Sequence, residues 1–128
     1  MRVLLDTHAL LWMMSADDRL SDRAKVTVLD DRNDLLFSLA GWWEIAIKIG
    51  LGKLDLQADW ALALRREMRH NGIEWLPIRP EHCERIPSLP FHHRDPFDRL
   101  LIAQAQAEEL SIMTADPHFS AYGVDVVW

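Results

Sequence analysis

Cysteine is almost absent: Cys83 stands alone in 128 residues, which excludes an intramolecular disulfide and any thiolate metal cage. Long apolar runs are missing too. The stretch Ala9 to Met14 is far too short to span a bilayer, and the opening Met1-Arg2-Val3-Leu4-Leu5-Asp6 brings in charge before the apolar core of a secretion signal can form. A cytoplasmic protein with no membrane contact is expected. Glycine is limited to five residues, and no Gly/Ser linker, internal repeat or low-complexity tract interrupts the chain. Residues 1–128 therefore read as one domain, long enough to bury a core and too short for two.

An excess of basic residues is also lacking. The formal net charge is −6, whereas a phosphate-binding protein normally shows a basic surface. That absence excludes less than it suggests. If four carboxylates share one cation site, the acidic excess is local, and the remaining surface is close to balanced.

What is present is an alternation of short β-rich apolar runs with longer helical stretches, in a composition of 49% apolar and 27% charged residues that suits a globular domain. Strands are predicted at Val3–Leu5, Leu35–Ser38, Ile73–Ile78, Ser111–Thr114 and Val124–Val127. Most are near-continuous apolar runs, the mark of strands buried on both faces. Helices are predicted at Thr7–Met14, Ser21–Asp31, Ala40–Ile49, Trp60–Asn71, Pro80–Ile86 and Pro96–Glu109. Ser21 supplies an N-cap, Pro80 and Pro96 take first-turn positions, and Asn71-Gly72 stops a helix before the third strand. The pattern predicts an α/β fold in which helices cover both faces of a parallel sheet, with any site outside the carboxyl ends of the strands.

Four acids fall where such a site would form. Asp6 ends the first strand, and it also suits the N-cap of the helix beginning at Thr7. Glu44 lies within Gly41-Trp42-Trp43-Glu44-Ile45-Ala46-Ile47-Lys48; a surface pair with Lys48 at i,i+4 would explain it, but the apolar neighbours place it at a rim or in a cleft. In His93-Arg94-Asp95-Pro96-Phe97-Asp98-Arg99, Asp95 and Asp98 occupy N-cap and N3 of the last long helix. Capping accounts for Asp95 and leaves Asp98 free for other work. Asp116 precedes Pro117, as turn acids do, yet it follows a strand on the same edge as Asp6. Separate caps have no reason to converge on one edge.

Converging carboxylates repel one another unless a cation sits among them. Oxygen donors without cysteine or an organised histidine pair favour Mg²⁺ or Mn²⁺, ions that activate water for phosphodiester hydrolysis. The pair His92-His93 reads as polar loop surface, because adjacent side chains point apart. Arg94 and Arg99 flank the acids and are placed to track phosphates, while Arg65, Arg66, Arg69 and His70 form a solvated basic helix face. A covalent phosphatase built on Asp6 is disfavoured, since the further Asp expected two residues on is replaced by His8. A non-enzymatic module whose acidic pocket docks a basic segment is the third reading.

The segments Leu5-Asp6-Thr7-His8-Ala9-Leu10-Leu11-Trp12, Trp43-Glu44-Ile45-Ala46-Ile47-Lys48 with Gly52-Lys53-Leu54, Asp95-Pro96-Phe97-Asp98-Arg99-Leu100-Leu101-Ile102-Ala103-Gln104-Ala105, and Thr114-Ala115-Asp116 together resemble PIN-domain ribonucleases. Among these the chain is most similar to VapC-type toxins of bacterial toxin–antitoxin pairs, and the resemblance runs nearly end to end. It implies a five-stranded, mainly parallel α/β/α sandwich, a Mg²⁺- or Mn²⁺-dependent endoribonuclease acting on RNA, a cognate antitoxin as inhibitor, and a homodimer. By the same resemblance the metal acids are Asp6, Glu44, Asp98 and Asp116, with Thr7 and Thr114 as supporting hydroxyls, Asp95 as a fifth acid or a cap, and Arg99 beside them. Gly41 departs from the small hydroxyl residue of many relatives.

Overall fold

The computed structural model describes residues 1–128 and runs β1 (Arg2–Leu5), α1 (Thr7–Met14), α2 (Asp22–Leu29), β2 (Asp34–Ser38), α3 (Leu39–Gly50), α4 (Trp60–His70), β3 (Ile73–Leu76), α5 (Pro80–Arg85), α6 (Pro96–Glu108), β4 (Ser111–Met113) and β5 (Val126–Val127). The strands form one sheet ordered β3-β2-β1-β4-β5, and every neighbouring pair is parallel. All six expected helices and five expected strands are present; β1, β2 and α3 extend slightly beyond expectation, α1 matches it, and the others are shorter. The third strand stops at Leu76 because Pro77 has no N–H for the ladder. The last strand begins only at Val126, three residues after the left-handed turn at Gly123 with φ 73°.

The continuous apolar strands are buried on both faces, as their pattern predicts. Val3, Leu5, Leu35 and Phe37 pack with Leu10, Ala24, Leu64 and Met68 of α1, α2 and α4. Leu4, Leu36 and Ile112 face the other way, against Leu101, Ile102 and Ala105 of α6. Helix α3 contributes Ala40 to the second cluster and Ile45 to the first, so it straddles the two layers. Ser38 caps it, its hydroxyl accepting from the Ala40 N–H at 3.0 Å.

The strand order places the site. The chain steps outward from β1 through β2 to β3, then returns to the opposite side of β1 for β4 and β5. Ligand crevices in open parallel sheets lie where the order reverses, here at the carboxyl ends of β1 and β4.

Candidate active site

Asp6 follows β1 directly and is 7% exposed. Its backbone N–H extends the ladder to the Met113 carbonyl at 3.0 Å, and its Oδ1 accepts the Ala9 N–H at 2.7 Å. The cap is real, and it fixes the carboxylate at the crevice instead of competing with a role there. One oxygen serves the helix while the residue as a whole stays at the switch point.

Glu44 is 5% exposed on the buried side of α3. The Thr7 hydroxyl donates to Oε1 at 2.5 Å, and Lys48 Nζ lies 3.0 Å from Oε2. The i,i+4 pair expected from spacing exists, but inside a cleft. Gly41 makes the approach of α3 to α1 workable: a Cβ there would come within 2.6 Å of Phe37 Cζ and 3.2 Å of Thr7 Oγ1. A hydroxyl-bearing side chain at this position would displace the Phe37 ring.

Asp95 caps α6 with one oxygen, Oδ1 accepting the N–H groups of Phe97 at 2.9 Å and Asp98 at 3.0 Å. That leaves Asp98, at N3, turned toward the other acids. Burial and then the charges of Asp95, Glu44, Asp6 and Asp116 push its carboxyl up to about 8. Asp6 is also raised, chiefly by burial, although the Thr114 hydroxyl and the Ala9 N–H pull the other way. The acids thus meet in one crevice, where Lys48 pairs with Glu44 and the ring of His93 lies 3.0 Å from Asp98.

Asp116 is held differently. Burial would raise its carboxyl, but the His118 N–H and the His93 and His118 side chains outweigh this and hold it below the usual range. Oδ1 accepts from the His118 N–H at 2.8 Å and lies 2.8 Å from His118 Nδ1; Oδ2 lies 2.8 Å from His93 Nε2. Thr114 accepts the Asp116 N–H at 3.0 Å and so sets the turn. Both Asp116 oxygens are taken by protein donors, whereas Asp98 has a free side. Asp98 is the more direct candidate for a cation.

Two sequence expectations are corrected here. His92 and His93 do point apart, but only His92 lies on the surface, edge-on to Tyr122 at 5.1 Å; His93 turns inward to Asp98 and Asp116. An organised histidine pair, His93 and His118, does accompany the acids. Arg99 faces the loop, not a phosphate path: buried to 6% exposure, it donates to the carbonyls of Pro90 (2.9 Å), His93 (3.3 Å), Ile86 (3.2 Å) and Leu89 (3.2 Å). Its motif gave no sign of this, because the loop it clamps carries no pattern of its own. Arg94 remains exposed, as do Arg65, Arg66, Arg69 and His70 on α4.

Beside the acids opens an apolar groove of about 690 Å³, running from Thr7 and Lys48 past Leu11 and Trp12 to Leu54 and Trp60. On the other flank, exposed Trp43 of α3 meets Phe97 of α6 at 5.3 Å between ring centres. The remaining tryptophans are mostly packing residues, Trp42 lying between Trp60 and Trp75 at 4.9 and 5.2 Å. No helix is long and apolar enough to cross a membrane.

The fold has counterparts among solved structures. VapBC2 from Rickettsia felis, bound to a DNA fragment from its promoter, superposes with a TM-score of 0.74 at 15% identity, over 98% of this chain and 97% of that one. VapBC-1 from nontypeable Haemophilus influenzae gives 0.64 at 15% identity, covering 98% and 96%. A toxin–antitoxin complex from Klebsiella pneumoniae gives 0.56 at 22% identity, covering 89% and 86%. No curated protein sequence matches the chain. The PIN domain model matches residues 3–125, and with the parallel five-stranded sheet and the acids gathered at its switch point, the chain belongs to the PIN domain family.

Proposed function

We propose that this protein is a Mg²⁺- or Mn²⁺-dependent endoribonuclease, the VapC-type toxin of a bacterial toxin–antitoxin pair. The observation that carries the reading is the gathering of Asp6, Glu44, Asp98 and Asp116 in one crevice at the switch point of the sheet, where burial and then the neighbouring carboxylates push the Asp98 carboxyl up to about 8. Hard divalent cations with oxygen ligands fit such a donor set. When bound, the ion supplies an activated water and charge stabilisation for phosphodiester hydrolysis.

The protein's own part is to hold the oxygens. Asp98 and Asp6 are the principal ligands, rigid because each sits at a helix start. Thr7 and Lys48 fix Glu44, and His93 and His118 fix Asp116 as an orienting group. The resemblance of the fold to VapBC assemblies supports a cognate antitoxin, and the apolar groove next to Lys48 and Thr7 offers such a partner a place to cover the site. Exposed Trp43, packed on half-buried Phe97, supports a homodimer.

Purified protein should cut RNA with Mg²⁺ or Mn²⁺, stop with chelator, and stop in folded Asp6→Asn and Asp98→Asn variants. Metal-dependent cleavage retained by the folded double variant would overturn the assignment. A folded protein that binds no Mn²⁺ in calorimetry would instead favour a binding module whose acids dock a basic segment.

A further inference from the structure

His93 is held from every side. Its N–H donates to the Tyr122 hydroxyl at 2.7 Å, its carbonyl accepts from Arg99 Nη1 at 3.3 Å, and its ring packs edge-on against Phe119 at 5.8 Å. The informative contact is at Nδ1, which accepts the backbone N–H of Asp95 at 3.1 Å. A ring nitrogen that accepts from an N–H carries no proton of its own, so the neutral imidazole bears its hydrogen on Nε2. Nε2 is the atom that lies 2.8 Å from Asp116 Oδ2 and 3.0 Å from Asp98 Oδ2.

This decides between two uses of the ring. Ligand atoms of His93, Asp116 and His118 lie within 4.8 Å of one another, a spacing that would admit an ion. A histidine that ligates through Nε2, however, places its proton on Nδ1 and donates it to an acceptor, which fixes the tautomer. Here the group facing Nδ1 is itself a donor, and the backbone at the N-cap of α6 cannot turn it away without breaking the helix start.

Resting on the reading that the acids hold a divalent cation, we propose that His93 is a positioning residue, not a ligand: its Nε2–H holds the Asp116 carboxylate beside Asp98, so that the Asp98 oxygens converge on the cation with no rearrangement. The short segment His93-Arg94-Asp95 then does three jobs at once. The Asp95 side chain caps the helix that carries Asp98, the Asp95 N–H selects the His93 tautomer, and the His93 ring aligns the acid arriving from β4.

The test is calorimetric titration of metal-free protein with Mn²⁺, for wild type, His93→Leu and His93→Gln, with circular dichroism as the folding control. Loss of an outer hydrogen bond to a ligand group weakens metal binding about 10–100-fold. His93→Leu should show a loss of that order, and His93→Gln, which keeps an N–H at the position of Nε2, should recover most of it. Nitrogen-15 correlation spectra of the imidazole should report the Nε2–H tautomer both without metal and with Mg²⁺. Unchanged affinity in His93→Leu, failure of glutamine to restore it, or a switch to the Nδ1–H tautomer on adding Mg²⁺ would each overturn this role alone. Absence of Mn²⁺ binding by the folded wild type would overturn the nuclease reading and this role with it.

Discussion

The Thr7 hydroxyl and the Glu44 carboxylate meet at 2.5 Å, joining the first turn of α1 to the second turn of α3 inside the protein. This bond links the residue after Asp6 to the acid on α3, so it bears on stability and on site geometry together. Thr7→Val keeps the shape and removes the donor. A hydrogen bond to a charged group contributes about 1.5–3 kcal/mol, and Glu44 would be left buried with only Lys48 as partner. Denaturant unfolding should show a loss of that size, and Mn²⁺ affinity should fall with it.

The burial of Asp98, and then the acids around it, make stability depend on pH in an unusual direction. Its folded carboxyl sits at about 8 against an ordinary 3.8, so between these values the unfolded chain binds fewer protons than the folded one. Stability is therefore full below pH 3.8 as far as this group is concerned, and is lost as pH rises toward 8. Asp6, also raised, acts in the same sense, while Asp116, which is lowered, acts only in the acid range. Metal-free protein should become less stable from pH 5 to pH 8, with a slope approaching about 1.4 kcal/mol per pH unit in mid-window. Urea titrations at several pH values measure it. A slope that persists unchanged in Asp98→Asn would contradict the assignment.

Arg99 should behave as a structural clamp. Removing it in Arg99→Leu takes the donor from the carbonyls of Leu89, Pro90 and His93, while Ile86 keeps the Leu89 N–H; at about 1–3 kcal/mol each where no water replaces the donor, a loss of at least about 3 kcal/mol is expected. Arg99→Lys should recover only part, because an ammonium cannot reproduce the planar fork. If Arg99 instead contacted phosphate, RNA binding would lose about one unit of salt dependence while stability held.

Gly41→Ala sets two effects against each other. Alanine gains about 1 kcal/mol of helix propensity over glycine, whereas forcing a methyl to 2.6 Å from the buried Phe37 ring is overpacking, at about 1–3 kcal/mol. The ring is walled in by the sheet, so the clash should win. A melting temperature above that of the wild type would show that the ring moves freely.

Much of this was open to reading from the chain alone, for definable reasons. Asp6 lies between a buried strand and a helix, and Asp98 in the first turn of a helix whose start is marked by Asp95 and Pro96, so both positions could be inferred. Asp95 fitted both of its readings because a cap needs one oxygen and a carboxylate has two. His93 and Arg99 were misplaced for a common cause. The segment between α5 and α6 has no hydrophobic period, and its path is set by long-range bonds to Arg99 and Tyr122 that local spacing does not encode. Burial of Glu44 was legible in its apolar neighbours, while its hydroxyl partner, 37 residues away, was not legible from spacing.

The placement of β1 at the centre of the sheet has a consequence for biosynthesis. One wall of the acidic crevice follows β1 and the other follows β4, so all six helices are made between them. A growing chain that has not yet delivered Ser111–Met113 has an unpaired edge along β1 and lacks the Met113 carbonyl that accepts the Asp6 N–H. The crevice is thus complete only once β4 has been laid beside β1.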